Sequence, residues 1–454
     1  MAKALEKAIP KLPSDAVTWV NTPRGAEARW ANHSESMEKL REAAEGVLSR
    51  LEQSTNQTFR IGILQSDALH KSYIMSDGEN DYVLKFTLPT LPNMKTESEV
   101  GMMRWVARKT RLSVPRVYEY KSLGLETYPV EFILMSRPQG EPLAALWRGL
   151  DFAAKEDIVR QMAAFVSETF QKQRHLIGGL RVGDGPRGTH RPENYEFSVG
   201  SAASPAFVSP HYAIDIFGPF YSAHEWISAR IDFALADRRS RLIDATQGSV
   251  YYGAVRRRGG PGGFVDDPER LENAIAILKR LGPFISSLFP PGPVLPEPVP
   301  PERSMCFHDD LSKQKILVTT ETTPVTISVA DWSCASAVPP SVACQYPAFL
   351  KGRPSNKPPR KAAYRDAATG EPSELYWEHL EMYELTQLRR LFLDEMRRLE
   401  PRWVQVFEAS QRQRDFDLAI SSADDLSKGD ILRDWLTDME SGYTNFLSLE
   451  DRMG

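Results

Sequence analysis

Hydrophobic positions in the first third of the chain fall mostly into short runs of strand character. Residues 58–64 (TFRIGIL), 70–76 (HKSYIMS) and 81–86 (DYVLKF) read as three strands. Ser76, Asp77, Gly78, Glu79 and Asn80 form the turn between the last two. Residues 114–120 (VPRVYEY) and 130–136 (VEFILMS) predict two more strands. Among them lies a helix over 97–110, with Val100, Met103 and Val106 on one face. Ahead of the strands, Leu40, Ala44, Val47 and Leu51 recur at helical spacing and predict an amphipathic helix over 35–54.

The pattern changes after RPQGEPL (137–143), whose prolines and glycine read as a hinge. Beyond it the apolar spacing is helical over 156–170, 222–237, 269–288 and 374–399. A basic, Gly-rich loop (256–263) and a Pro-rich extended segment (289–302) interrupt the helices. The expected fold is α+β with two lobes. A helical extension covers 1–57, a small β-rich lobe 58–137, and a large, mainly helical lobe 138–454. The cleft between two such lobes is a common place for a small-molecule site.

Composition narrows the class. At 41% hydrophobic and 26% charged, the 454 residues are those of an ordinary globular protein. A net charge of -4 gives no reason to expect nucleic acid as a partner. Cys306, Cys334 and Cys344 are too few and too scattered for a disulfide framework or a zinc site, and imply a reducing compartment. No apolar run approaches membrane-spanning length, and the first residues lack a signal-peptide core. A cytoplasmic protein without a membrane partner is expected.

The chemistry concentrates around CFHDDLSKQKILV, residues 306–318, an acidic loop feeding a short apolar strand. Phosphoryl transfer needs a carboxylate to orient the acceptor, another to hold a metal on the phosphates, and a lysine to steady them. Asp310 suits the first role. Asp331, after the apolar run of ISVADWSCAS (327–336), suits the second. Lys85 lies inside YVLKF, where a charge needs a partner. Glu99, with Glu97 as second choice, opens the next helix and supplies one. His308 is expected to bond backbone around the acidic loop. The 256–263 loop lacks a Gly-Lys-Ser/Thr ending and reads as surface. The Met and aromatic residues of 374–399 are expected in the core, and Cys306 and Cys334 to pack as small hydrophobes.

Taken in order, these residues resemble the aminoglycoside phosphotransferase and choline-kinase-like family of the protein-kinase-like fold, and its fungal members in particular. The family pattern His-x-Asp-Leu-x-x-x-Asn followed by Ile-Leu-Val runs here from His308 through Asp310, Leu311 and Lys315 to Val318. The family's Asp-Trp metal motif is matched by Asp331 and Trp332. Ser98, Glu99 and Val100 resemble the helix start carrying the ion-pairing Glu, and residues 132–135 (FILM) the strand into the hinge. Residues 218–222 (GPFYS) with Glu225 and Trp226, and 344–350 (CQYPAFL), also resemble fungal members. The resemblance spans roughly 58–400. It implies transfer of the γ-phosphoryl group of ATP to a hydroxyl of a small acceptor bound in the helical lobe. Asp310 and His308 would form the catalytic loop, Asp331 would bind Mg²⁺, and Lys85, Glu99, Met135 and Lys315 would surround the nucleotide.

Departures from the pattern raise a second reading. Lys315 stands where the family keeps Asn, and an ammonium has donors only, so it ligates no cation. It would instead replace one metal's charge by pairing with Asp331 or a phosphate oxygen. Gln314 carries an amide one residue early. The turn expected to cradle phosphates, within 62–73, has no glycine after Gly62 and holds Ser66, Asp67 and His70. Asp309 adds charge beside Asp310. The alternative is a catalytically impaired module of the same fold with a binding or regulatory role.

Overall fold

The computed structural model describes residues 17–22, 25–30, 42–50, 52, 58–66, 70–88, 90–91, 93–122, 131–183, 196–209, 218–247, 266–292, 300–321, 324–333, 335–365, 370–442 and 446–453. Asp67, Cys334 and the 256–263 loop lie outside them, as do residues 293–299 of the 289–302 segment.

Strands β1 (Val17–Thr22) and β2 (Gly25–Trp30) pair as an antiparallel hairpin. Helix α1 covers residues 42–50. Strands β3 (Arg60–Ser66), β4 (His70–Ser76), β5 (Asp81–Thr87), β6 (Val117–Lys121) and β7 (Glu131–Ser136) form one antiparallel sheet in the order β3-β4-β5-β7-β6. Helix α2 (Met94–Lys109) lies between β5 and β6 in the chain.

The hairpin corrects the expectation of a helical extension over 1–57. VTWVNT and GAEARW alternate at period two, so Ala28 and Trp30 share one face and are buried while Arg29 between them is exposed. That buried face has a use. In β5 and β7, Val83, Ile133 and Met135 join the large core with Val100 and Met103 of α2. Leu84, Phe86, Phe132 and Leu134 point the other way, into a second core completed by Ala28, Trp30, Ala43, Ala44 and Val47. The sheet is thus covered on both faces, which is why YVLKF and EFILM read as nearly unbroken apolar runs.

The larger lobe contains β8 (Glu141–Pro142), β9 (Arg174–His175), β10 (Gly179–Val182), β11 (Phe197–Gly200), β12 (Arg303–His308), β13 (Ile316–Thr319), β14 (Thr326–Val329) and β15 (Ala335–Val338). Its longer helices are α3 (Phe152–Gln171), α4 (Ala223–Gln247), α5 (Pro268–Leu281), α6 (Glu374–Leu399), α7 (Pro401–Ala409), α8 (Gln411–Ser422) and α9 (Gly429–Glu440). Asp151 caps α3 by accepting from the Ala154 N–H, and Asp267 caps α5, with Pro268 in its first turn. Trp332, Trp403, Trp435, Phe207, Phe392 and Phe416 are its largest fully buried side chains among the described residues. In α6 only Leu385, Leu388, Phe392 and Met396 of the expected apolar face are buried; Tyr376, Trp377, Met382 and Tyr383, in its first half, are half-buried. Cys306 and Cys344 are buried free thiols.

Two glycines set the distance between the parts. Gly140, in the hinge, has φ +99°, and a Cβ there would lie 2.7 Å from the carbonyl of Val318. Its absence lets β8 pair with β13 through Glu141 and Val318. At Gly101 a Cβ would lie 2.1 Å from the Leu180 carbonyl oxygen, so α2 sits directly on β10.

Candidate functional site

Alternation along β5 puts Lys85 on the same face as Val83, toward α2, where it is 4% exposed. A charge buried this far needs partners. Glu99, 1% exposed on α2, accepts from its Nζ at 2.6 Å, and Asp331 Oδ1 accepts at 2.8 Å. Burial opposes the protonated form of Lys85, but the carboxylates of Asp331 and Glu99 hold its pKa above the ordinary lysine value. Glu97, the second choice, is engaged elsewhere and accepts from the Ser122 hydroxyl at 2.6 Å. Met135 lies in β7 opposite Val83, and its side chain belongs to the large core.

The acidic loop leaves β12 at His308 and enters β13 at Ile316. The N–H groups of Lys315 and Ile316 both donate to Ser312 O, at 3.0 and 3.2 Å, closing the turn. Lys315 O accepts from the Ala330 N–H at 3.1 Å, which seats the loop's end beside the residue before Asp331. His308 braces the two segments. Its Nε2 donates to Asp331 O at 2.6 Å, and its Nδ1 accepts from the Asp310 N–H at 3.2 Å. That pairing requires the neutral Nε2–H tautomer, and burial pushes the imidazole's pKa down, in keeping with it. With both ring nitrogens on backbone, His308 stands as a brace rather than a proton carrier. Its ring packs edge-on against Trp332, 5.2 Å between centroids, and the Trp332 indole N–H donates to Val329 O at 3.1 Å. Asp310 is half-buried, and its carboxylate makes no hydrogen bond among the described residues.

Asp331 is the centre of the cluster. Oδ1 accepts from Lys85 and from the Ser333 N–H, and Oδ2 accepts from Lys315 Nζ at 2.6 Å. Burial opposes its ionisation, but Lys85, His70 and Lys315 hold its pKa well below the usual carboxylate range. Burial also disfavours the Lys315 charge, and Asp331 more than offsets this, so the lysine's pKa is raised. These contacts test the fit of Mg²⁺, which needs oxygen ligands in near-octahedral array. Both Asp331 oxygens face ammonium groups, and the residue at 315 contributes donors only. Gln314 is exposed. Among the described residues no three His, Cys, Asp or Glu converge on a point that would hold a metal. This donor set does not fit a divalent ion.

Beside the loop lies a cavity of about 410 Å³, lined among others by Arg230, Asp237, Asp309, Arg414, Asp417 and Asp424. Arg230 pairs with Asp417, Arg238 with Asp424, and Arg241 with Asp237 and Asp266. Asp309 opens to solvent through the cavity. Its surroundings nevertheless strip enough water, with added repulsion from Asp310, to push its pKa up to about 7. Reasoning from sequence missed this wall. Its ion pairs join α4 to α8 and to the turn after α8 across more than 180 residues. The signal was Arg230, Asp237 and Arg241 at helical spacing on one face of α4, which looks like an ordinary solvated face.

Fold and site together define a two-lobed α+β protein, a small β-rich lobe and a large, mainly helical one, with a charged cluster where the lobes meet. Residues 60–174 match the family described as "Phosphotransferase enzyme family", which supports the resemblance read from the motifs over that part of the chain. The match covers the small lobe and the first long helix of the large one. A subtelomeric hrmA-associated cluster protein of Aspergillus fumigatus is 32% identical over 85 residues, 19% of this chain and 17% of that protein. The chain therefore spans only a small part of the curated relatives it matches. Among solved structures, aminoglycoside phosphotransferase APH(4)-Ia in ternary complex with ADP and hygromycin B is 15% identical, covering 88% of this chain and 99% of that one, with a TM-score of 0.42. The GDP complex of an aminoglycoside 2'-phosphotransferase-IIIa mutant is 12% identical over 84% and 92%, with a TM-score of 0.33. No helix among the described residues is long and apolar enough to cross a membrane.

Proposed function

We propose that this protein transfers the γ-phosphoryl group of ATP to a hydroxyl of a small acceptor. The observation that supports this most is the buried Lys85–Glu99 pair reaching Asp331 across the two lobes. Holding a lysine rigid and charged at the cleft is the arrangement that steadies a polyphosphate. The acceptor occupies the polar cavity beside Asp309. Its hydroxyl oxygen forms the new bond to Pγ while the bond from Pγ to the bridging β,γ-oxygen breaks. Asp310 orients the hydroxyl and receives its proton, and ADP leaves. No step is assigned to Mg²⁺, given the donor set around Asp331.

The test is ADP release from the purified full chain with ATP and a panel of hydroxylated and amino-bearing small molecules. Acceptor-dependent ADP release, lost in Asp310→Asn, is expected. A second reading, a binding module with impaired catalysis, is favoured by the Lys315–Asp331 contact. Nucleotide binding with no transfer to any acceptor would select it.

A further inference from the structure

We propose that the Lys315 ammonium is a resident cation standing in for a divalent ion, so that a nucleoside triphosphate binds this site without one. The inference rests on the nucleotide-binding part of the reading above and concerns what that binding requires.

The first argument is charge. Two ammonium groups, Lys85 and Lys315, meet two carboxylates, Glu99 and Asp331, within 2.8 Å. Their sum is zero. With a neutral side chain at 315 the same cluster would be net negative and would attract a metal cation. Lys315 removes that attraction and adds its own charge to the cleft.

The second is donor count. An ammonium carries three N–H groups. Lys85 spends two, on Glu99 and Asp331, and is almost wholly buried. Lys315 spends one, on Asp331 Oδ2, and its side chain is 26% exposed. It therefore has two donors left for phosphate oxygens.

The third is placement. The Lys315 backbone is fixed on both sides, by its N–H to Ser312 O and by its C=O from the Ala330 N–H. Asp331 then holds the side chain's end. The ammonium is pre-placed at the carboxylate that would otherwise carry a metal, so little ordering is left for the nucleotide to impose.

Calorimetric titration of the full chain with ATP or a non-hydrolysable analogue, in EDTA and in Mg²⁺, tests this. The unmodified protein should bind in EDTA with a Kd within about threefold of that in Mg²⁺, a difference smaller than one charge-assisted hydrogen bond. Lys315→Asn should bind about tenfold or more weakly in EDTA, the loss of one such bond, and recover in Mg²⁺. Lys315→Arg, which keeps the charge, should retain binding in EDTA. Thermal melts confirm that each variant is folded. Binding by the unmodified protein that needs Mg²⁺, or EDTA binding unchanged in Lys315→Asn, overturns the proposal and leaves the phosphotransferase reading standing. No binding under either condition overturns both.

Discussion

Lys315 Nζ lies 2.6 Å from Oδ2 of Asp331, while Lys85 Nζ approaches Oδ1 at 2.8 Å. One lysine comes from the end of the acidic loop and the other from the sheet of the small lobe. A single carboxylate therefore ties the lobes together at the centre of the candidate site.

Removing Lys85 strands Glu99 in the core, whereas removing Glu99 leaves Lys85 paired with Asp331. Lys85→Met is expected to destabilise the protein by about 3–5 kcal/mol, the cost of an uncompensated buried charge. Lys85→Met combined with Glu99→Leu should be less destabilising than Lys85→Met alone. Urea denaturation of the single and double variants measures both.

Asp310, next in the chain to the cavity-lining Asp309, has a carboxylate with no hydrogen bond among the described residues, which makes it the group whose loss costs chemistry and not folding. Asp310→Asn should lower acceptor-dependent turnover by about 10²–10⁴-fold, the range for a general base. Its melting temperature and nucleotide affinity should stay near those of the parent.

Two aspartates push stability in opposite directions with pH. Asp331 has a depressed pKa, so its contribution is present above the ordinary value of 3.8 and is lost as pH falls through the depressed one. Asp309 is raised from 3.8 to about 7, so its contribution is complete below 3.8 and lost as pH rises through about 7. Asp309→Asn should therefore gain stability relative to the parent as pH rises between those values and level off above them. Urea midpoints measured across that range decide the sign.

Gly101 keeps α2 against β10, and α2 carries Glu99. Gly101→Ala places a methyl 2.1 Å from a backbone oxygen, which cannot rotate away. A loss of about 1–3 kcal/mol is expected from overpacking, with weaker nucleotide binding as α2 shifts. Gly46→Ala, where a Cβ meets nothing within 4 Å, is the control.

Trp30 covers the outer face of the small lobe's sheet. Trp30→Ala should cost about 3–5 kcal/mol, as for other buried aromatics. A melt unchanged by this substitution would show that the hairpin is not part of the folded core.

Much of the architecture was legible because local pattern and final environment agree. The strand over His70–Ser76 and the helix over Glu374–Leu399 have the limits their spacing predicts. The Gly140 break lies where the lobes join. Lys85 and Glu99 were legible as partners because a charge in an apolar strand requires a counter-charge nearby. The hairpin at β1 and β2 was not, because six-residue strands carry little signal until the surface they cover is known. Nor were the helices after Leu399, whose polar faces close the cavity wall.

The sequence by itself determined the order of lobes, the two acidic segments, and the exchange that puts a lysine at position 315. Those are properties of residue type and spacing along one chain. Only the tertiary structure decided that His308 braces backbone, that Lys315 and Lys85 take opposite oxygens of Asp331, and that helices nearly two hundred residues apart share ion pairs around one cavity. These depend on distance and burial, and burial turns a surface charge into one that must find its partner.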